Sequence, residues 1–223
     1  NRKNVNFGRT SYAIQFHYRG DTVHADLRIN VGNKLEGWTL AIQEEEEIKK
    51  RMRWTVEKDG DLKKVYWDKE LYYVYDMKED KVVEWNKSLN KKILDEHKKL
   101  TEECTKCFKI DLKTGKPKER LSSDGKKIVE KIWATPKQDE PVEWLEVEGV
   151  YPPREIEPVP GGTRFWPGVF VMVDKGNIEF GAQKPYFKEY FFNGKVFKGR
   201  YVIRLINRAG NMQWLSLIHI SEP

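Results

Sequence analysis

Apolar and polar residues alternate from the first dozen positions of the chain. Tyr12-Ala13-Ile14-Gln15-Phe16-His17 keeps a period of two, Arg19-Gly20-Asp21 supplies turn chemistry, and Thr22 to Ile29 alternates again. That pattern predicts a β-hairpin with a loop of a few residues. Gly32-Asn33 turns the chain once more, and Leu35 to Ile42 reads as a third strand. From Val142 to Trp214 short strands return, punctuated by Gly161-Gly162 and Pro167-Gly168. Val169 to Val173 is one; Asp174-Lys175-Gly176-Asn177 then reads as a turn into Ile178-Glu179-Phe180. Asn193-Gly194, between Tyr190–Phe192 and Val196-Phe197, predicts a tight type I′ hairpin, and Tyr201 to Ile206 a further strand. Many short strands at close spacing favour a mainly β chain, a closed or nearly closed antiparallel β-barrel, over a parallel α/β sheet.

Between Glu44 and Lys131 the pattern changes. Glu44 to Glu47 and a following Lys-Arg run open a highly charged stretch, and Trp54 to Tyr75 has strand-like aromatic pieces with a turn at Asp59-Gly60. Ser88 to Cys107 has helical spacing, with Leu89, Ile93, Leu94, His97 and Leu100 near one face, and Asp111 to Gly125 reads as a surface loop. Residues 44–135 are therefore expected to form a charged, partly helical insertion beside a barrel made of residues 1–43 and 136–214, α+β overall. The chain opens at Asn1 without a signal segment, which reads as a start upstream. Its last nine residues, 215–223, resemble a translated sequencing adapter, which would leave the native sequence ending near Trp214 and remove His219 from the ligand candidates.

Composition narrows the function classes. The 41 Lys and Arg against 35 Asp and Glu give a net charge of +6, which permits a phosphate-bearing partner without demanding one. No run approaches the roughly 18 apolar residues of a membrane span. Two cysteines in 223 residues exclude a disulfide scaffold and suit a reducing, cytoplasmic setting with no membrane partner. Cys104-Thr105-Lys106-Cys107 with His97 upstream lacks the fourth ligand of a structural zinc site and reads as two ordinary thiols. The eight Trp and ten Tyr fit barrel core and rim, and the Lys-rich runs at 49–53 and 87–99, beside acids, fit solvated faces.

The chemistry is in the first hairpin. Positions two apart on a strand share a face, so His24, Asp26 and Arg28 line one side of one strand and Gln15 and His17 one side of its neighbour. If the strands pair, two imidazoles, a carboxylate, an amide and a guanidinium converge, a polarity too costly to bury unless something binds there. Two His and a carboxylate with open positions suit a divalent transition metal such as Mn, Fe or Zn. Arg28 suits a grip on a phosphate oxygen. A metal and an arginine on one face are what phosphate-ester hydrolysis requires.

Three blocks here, residues 12–17 (Tyr-Ala-Ile-Gln-Phe-His), 24–29 (His-Ala-Asp-Leu-Arg-Ile) and 35–40 (Leu-Glu-Gly-Trp-Thr-Leu), resemble the 3′-phosphoesterase domain of bacterial DNA ligase D. The resemblance resumes at 139–152, 168–176 and 193–205, in the family's order, and covers a little over half the chain. It implies a compact β-barrel enzyme, usually manganese-dependent, that trims a 3′-terminal ribonucleoside and then the 3′-phosphate at DNA ends. By position, His17, His24 and Asp26 match the metal ligands, Arg28 a phosphate-contacting arginine and Gln15 an active-site glutamine. The family's histidine before proline is Glu140 here, and its tyrosine four residues later is Trp144. Asn1 to Thr10 has no counterpart of the family's upstream Arg-Asp and Glu signature, and His17 to His24 is one residue longer.

Two functional classes follow from these readings. One is a metal-dependent phosphoesterase acting on DNA or RNA/DNA 3′ ends. His17, His24 and Asp26 would hold Mn2+ (or another divalent transition metal such as Zn2+ or Co2+), with Arg28, Gln15, Glu140 and Trp144 toward the substrate and ligase or polymerase domains on the same polypeptide. The other is a non-catalytic metal-binding barrel module of a larger repair or phage polypeptide, favoured by Glu140. A non-haem iron oxygenase ranks last, because His97 lies in the charged stretch rather than beside the set.

Overall fold

The computed structural model describes residues 8–19, 22–42, 45–55, 72–76, 78–85, 87–104, 120–128, 132–151, 168–205 and 214–220. In chain order these form β1 (Arg9–Arg19), β2 (Thr22–Asn30), β3 (Lys34–Leu40), α1 (Glu45–Arg51), β4 (Trp54–Thr55), β5 (Tyr72–Asp76), β6 (Lys81–Trp85), α2 (Lys87–Glu103), β7 (Arg120–Leu121), β8 (Lys127–Ile128), β9 (Ala134–Pro141), β10 (Gly149–Tyr151), β11 (Gly168–Lys184), β12 (Phe187–Asn193), β13 (Lys198–Leu205) and β14 (Trp214–Ile220). A 3-10 turn, Val142–Glu146, joins β9 to β10. The fold is mainly β, a curled antiparallel sheet with few helices. Its hydrogen-bonded order is β14-β13-β12-β11-β1-β2-β3-β9, with β10 on β11, and the path is open. Small sheets β4-β5-β6 and β7-β8 stand apart from it. Among the described residues no helix is long and apolar enough to cross a membrane. Asp59-Gly60 and Gly161-Gly162 lie outside the described residues.

Strand β1 buries both of its faces. Tyr12, Ile14, Phe16 and Tyr18 enter the main core with Val23, Ala25, Leu27 and Ile29 of β2, while Ala13, Gln15 and His17 point the other way and are buried too. The second face is covered by a smaller cluster in which Trp144 and Val147 of the segment after β9 pack on Leu35 and Phe170. The site thus lies on the reverse of the wall that encloses the main core.

The hairpin β1–β2 pairs as its alternation predicts, and the β2–β3 turn follows Gly32, whose φ of 108° suits a residue without Cβ. Two predicted turns take another form. Asp174 to Asn177 belongs to one continuous 17-residue strand, β11, which is bulged opposite Ile14/Gln15 instead of reversing. The bulge bends the strand and lets a single β11 follow the full length of β1. Asn193-Gly194 is not a two-residue turn either. Asn193 pairs with Lys198, leaving a four-residue loop closed by Gly194 N–H donating to the Phe197 carbonyl at 2.9 Å. Buried Asp174 sets that loop: it accepts from the Tyr12 hydroxyl at 2.7 Å and from the backbone N–H groups of Lys195 and Phe197 at 3.0 and 2.9 Å. A Cβ on Gly194 would overlap the Tyr12 hydroxyl and the Asp174 carboxylate, so close approach selects glycine here.

The charged stretch packs into the main core. Ile48, Met52, Trp54, Ile93, Leu100 and Cys104 share one apolar cluster with β1 and β2. Helix α1 forms because Glu45, Glu46 and Glu47 lie in its first turn and Lys49, Lys50 and Arg51 in its last, matching the helix dipole, while Ile48 alone is buried. Helix α2 docks through the predicted stripe, and its buried His97 packs edge-on against Tyr18 with ring centroids 4.6 Å apart. The Tyr18 hydroxyl and Thr101 Oγ1 are hydrogen-bonded at 2.8 Å. Arg53 ties the stretch together by pairing with Asp76 at 3.2 Å and Glu96 at 2.8 Å. Cys104 is disulfide-bonded, which corrects the free thiol read from the sequence, and Cys107 lies outside the described residues.

Candidate metal centre

Register places the predicted side chains opposite one another. Gln15 pairs with Asp26, His17 with His24, and Ala13 with Arg28. Directly opposed residues project to the same face, so the five form one patch. The ligand atoms of His17, His24 and Asp26 lie within 4.8 Å of one another. His24 Nε2 is 3.2 Å from Asp26 Oδ1, and His17 Nδ1 is 3.8 Å from Asp26 Oδ2. The His17 ring is stacked on Phe170 at 4.1 Å, which fixes its plane.

Arg28 is 1% exposed, so its charge depends on the partners around it. Its space exists because Ala13 and Gly37, its neighbours on this face, carry little or no side chain. Arg28 Nη2 pairs with Asp26 Oδ2 at 3.2 Å, and Nη1 donates to Gln15 Oε1. Gln15 in turn donates its amide to the Trp144 and Val147 carbonyls at 2.7 and 3.1 Å. The glutamine thus has both ends engaged and positions the arginine. The Trp144 ring lies under the guanidinium, 4.7 Å from its centre. Glu140 Oε1 faces Arg28 Nε at 3.6 Å, and neither atom has a hydrogen bond among the described residues. All seven residues expected at the site, including Glu140 and Trp144, are therefore brought together.

One member was not foreseen. Lys137 of β9 extends its ammonium to 3.1 Å from Asp26 Oδ1 and 3.3 Å from Glu140 Oε1. It reaches them by crossing Gly37, its partner in the ladder, where a Cβ would stand 3.4 Å from its own Cβ. The signal was the odd-numbered phase of β9. Pro136 and Pro141 obscured it, because two prolines in eight residues argue against a strand anywhere but a sheet edge.

The protonation states suit metal binding. Burial pushes the His17 pKa well below its ordinary value; the Asp26 charge opposes this, while His24, Lys137 and Arg28 add to it. Burial alone would raise the Asp26 pKa, but the His24 hydrogen bond, Arg28 and Lys137 hold its carboxyl well below the usual carboxylate range. A neutral imidazole beside an ionised carboxylate is the ligand form of both groups. His17 Nε2 is buried without a hydrogen-bond partner among the described residues, a costly arrangement that a metal bond would relieve. The donor set of two imidazoles and one carboxylate fits a divalent transition metal. No protein-family model matches the chain, and no curated protein matches its sequence.

Proposed function

We propose that this chain is a metal-dependent phosphoesterase-like domain acting on the 3′ ends of nucleic acid, of the ligase D 3′-phosphoesterase type. The supporting observation is the convergence of His17, His24 and Asp26 within 4.8 Å on the same face as buried Arg28. His17, His24 and Asp26 would hold Mn2+ or a similar ion, which when bound supplies Lewis acidity toward a phosphoryl oxygen. Arg28, held by Gln15 and stacked on Trp144, supplies fixed positive charge. Lys137 supplies a second, movable one. Phe170 and Trp144 close the His17 side of the site against water. The curled sheet is read as the barrel of that family, with its end strands β9 and β14 in contact but not joined by ladder hydrogen bonds.

Mn2+-dependent release of phosphate from a primer–template bearing a 3′-phosphate tests this reading, with Asp26→Ala as the inactive control. No release by the parent chain while it binds Mn2+ would sink it. One observation favours the second class. Glu140 occupies the Nε edge of Arg28, the edge left open by Gln15 and Asp26, and its charge repels phosphate there. Asp26→Ala strips buried Arg28 of its carboxylate and so costs stability under either reading. The two part on turnover, which the parent of a non-catalytic module lacks although metal raises its melting temperature.

A further inference from the structure

We infer that Trp133 is a stacking platform for the terminal base of the nucleic acid whose 3′-phosphate occupies the metal centre; the inference rests on the function proposed above. Residues 132–135 alternate in burial. Ile132 and Ala134 are buried in the main core, so Trp133 and Thr135 face the other way, the side on which Lys137 meets Asp26. The ladder gives the position along that face. Leu40 pairs with both Ala25 and Ala134, and Ala41 N–H donates to the Trp133 carbonyl at 2.9 Å. One step further along each strand, the row reads Phe170, His17, His24, Ala41, Trp133. With neighbouring strands about 4.8 Å apart, Trp133 stands about 10 Å from His24 across the sheet.

The row is closed at one end and open at the other. Phe170 is 0% exposed under Trp144 and Tyr151, whereas Trp133 is 53% exposed. Ala41 between the histidine and the indole is exposed and small, leaving a flat shelf. Among the described residues this row is open at its Trp133 end, so a ligand whose phosphate meets His17, His24 and Arg28 can extend along it toward Trp133. Single exposed apolar side chains are ordinary on protein surfaces. What distinguishes this one is that it lies at one nucleotide's span from a phosphate site, on its open side. The other large exposed apolar residues among those described, Val82, Leu121 and Tyr186, are not in this row, so the patch fits one ring and not a protein partner. Base–aromatic stacking is sequence-tolerant, so the site would accept any 3′-terminal base.

The test uses the whole chain with Mn2+ and an oligonucleotide carrying a 3′-phosphate and 2-aminopurine as its terminal base, followed by stopped flow before turnover. The parent is expected to quench the 2-aminopurine and to bind the oligonucleotide well above inorganic phosphate. Trp133→Ala should lose the quenching and about tenfold to a hundredfold in oligonucleotide affinity, with inorganic phosphate affinity unchanged. Trp133→Phe should keep most of the affinity. Unchanged quenching and affinity in Trp133→Ala, or an equal loss for oligonucleotide and phosphate, overturns the inference alone. Failure of the parent to bind either ligand while it binds Mn2+ overturns the inference together with the phosphoesterase reading.

Discussion

The Lys137 ammonium stands 3.1 Å from Asp26 Oδ1, the same oxygen that His24 Nε2 approaches to 3.2 Å. A side-chain cation thus occupies the position from which a metal would take its carboxylate ligand. Glu140, 3.3 Å from the same ammonium, offers it a second carboxylate once the first is taken.

Lys137→Met should therefore bind Mn2+ or Zn2+ more tightly than the parent, by roughly tenfold, because a like charge within a few ångströms of the ion is removed. The metal-free variant should melt lower, since buried Asp26 loses a neutralising partner, and the rise in melting temperature on adding metal should be larger. Titration calorimetry and thermal melts read both. An equal loss of stability with and without metal would show that Lys137 is not displaced.

Glu140→Gln removes the carboxylate from the Nε edge of Arg28. Inorganic phosphate should then bind roughly fivefold to tenfold more tightly in the presence of metal, as a carboxylate 3.6 Å from Arg28 Nε, which repels an anion there, gives way to a neutral amide. Phosphate affinity unchanged or reduced would mean that Arg28 does not meet the anion.

Gly194→Ala should cost about 2–3 kcal/mol of stability, because its methyl group forces apart the Tyr12 hydroxyl and the Asp174 carboxylate that close the β12–β13 loop. Chemical denaturation measures the loss. Metal affinity should be unaffected, as the loop lies on the core side of β1.

Acid should destabilise the metal-free protein in two stages. Burial lowers the pKa of both His17 and His97. The folded state keeps them neutral while the unfolded chain takes up protons below about pH 6.5. Their contribution is complete above that pH and is lost as the pH falls, by up to about 1.4 kcal/mol per pH unit for each histidine. Asp26 and Asp76, whose pKa values are lowered, add a second loss only below about pH 4. His97→Leu should flatten the first stage, seen in melts between pH 4.5 and 7; an unchanged slope would show that the buried imidazole does not carry it.

The hairpin chemistry was legible because a strand's period of two is rigid. Gln15, His17, His24, Asp26 and Arg28 needed only the pairing of two adjacent strands, joined by a short turn, to fall on one face. Long-range placement was not so readable. Lys137 reaches Asp26 through a ladder between strands separated by nearly a hundred residues, and the two prolines of β9 masked the strand phase that would have placed it. The Asn193-Gly194 turn was misjudged for the same reason: local propensity favoured a tight turn, but Asp174, on another strand, fixed a longer loop by two hydrogen bonds to its backbone. The predicted turn at Asp174 failed because a bulge opposite Gln15 lets polar residues continue a strand that their composition would end.

The apolar cluster shared by α1, α2 and the first two strands makes the charged stretch and the site hairpin one cooperative unit. With Tyr18 bonded to Thr101 and packed on His97, and Ile93 and Leu100 inside the cluster, excising the stretch would strip the core-side cover from the end of the hairpin that carries His17 and His24. A chain shortened in this way is expected to lose the fold and the metal centre together.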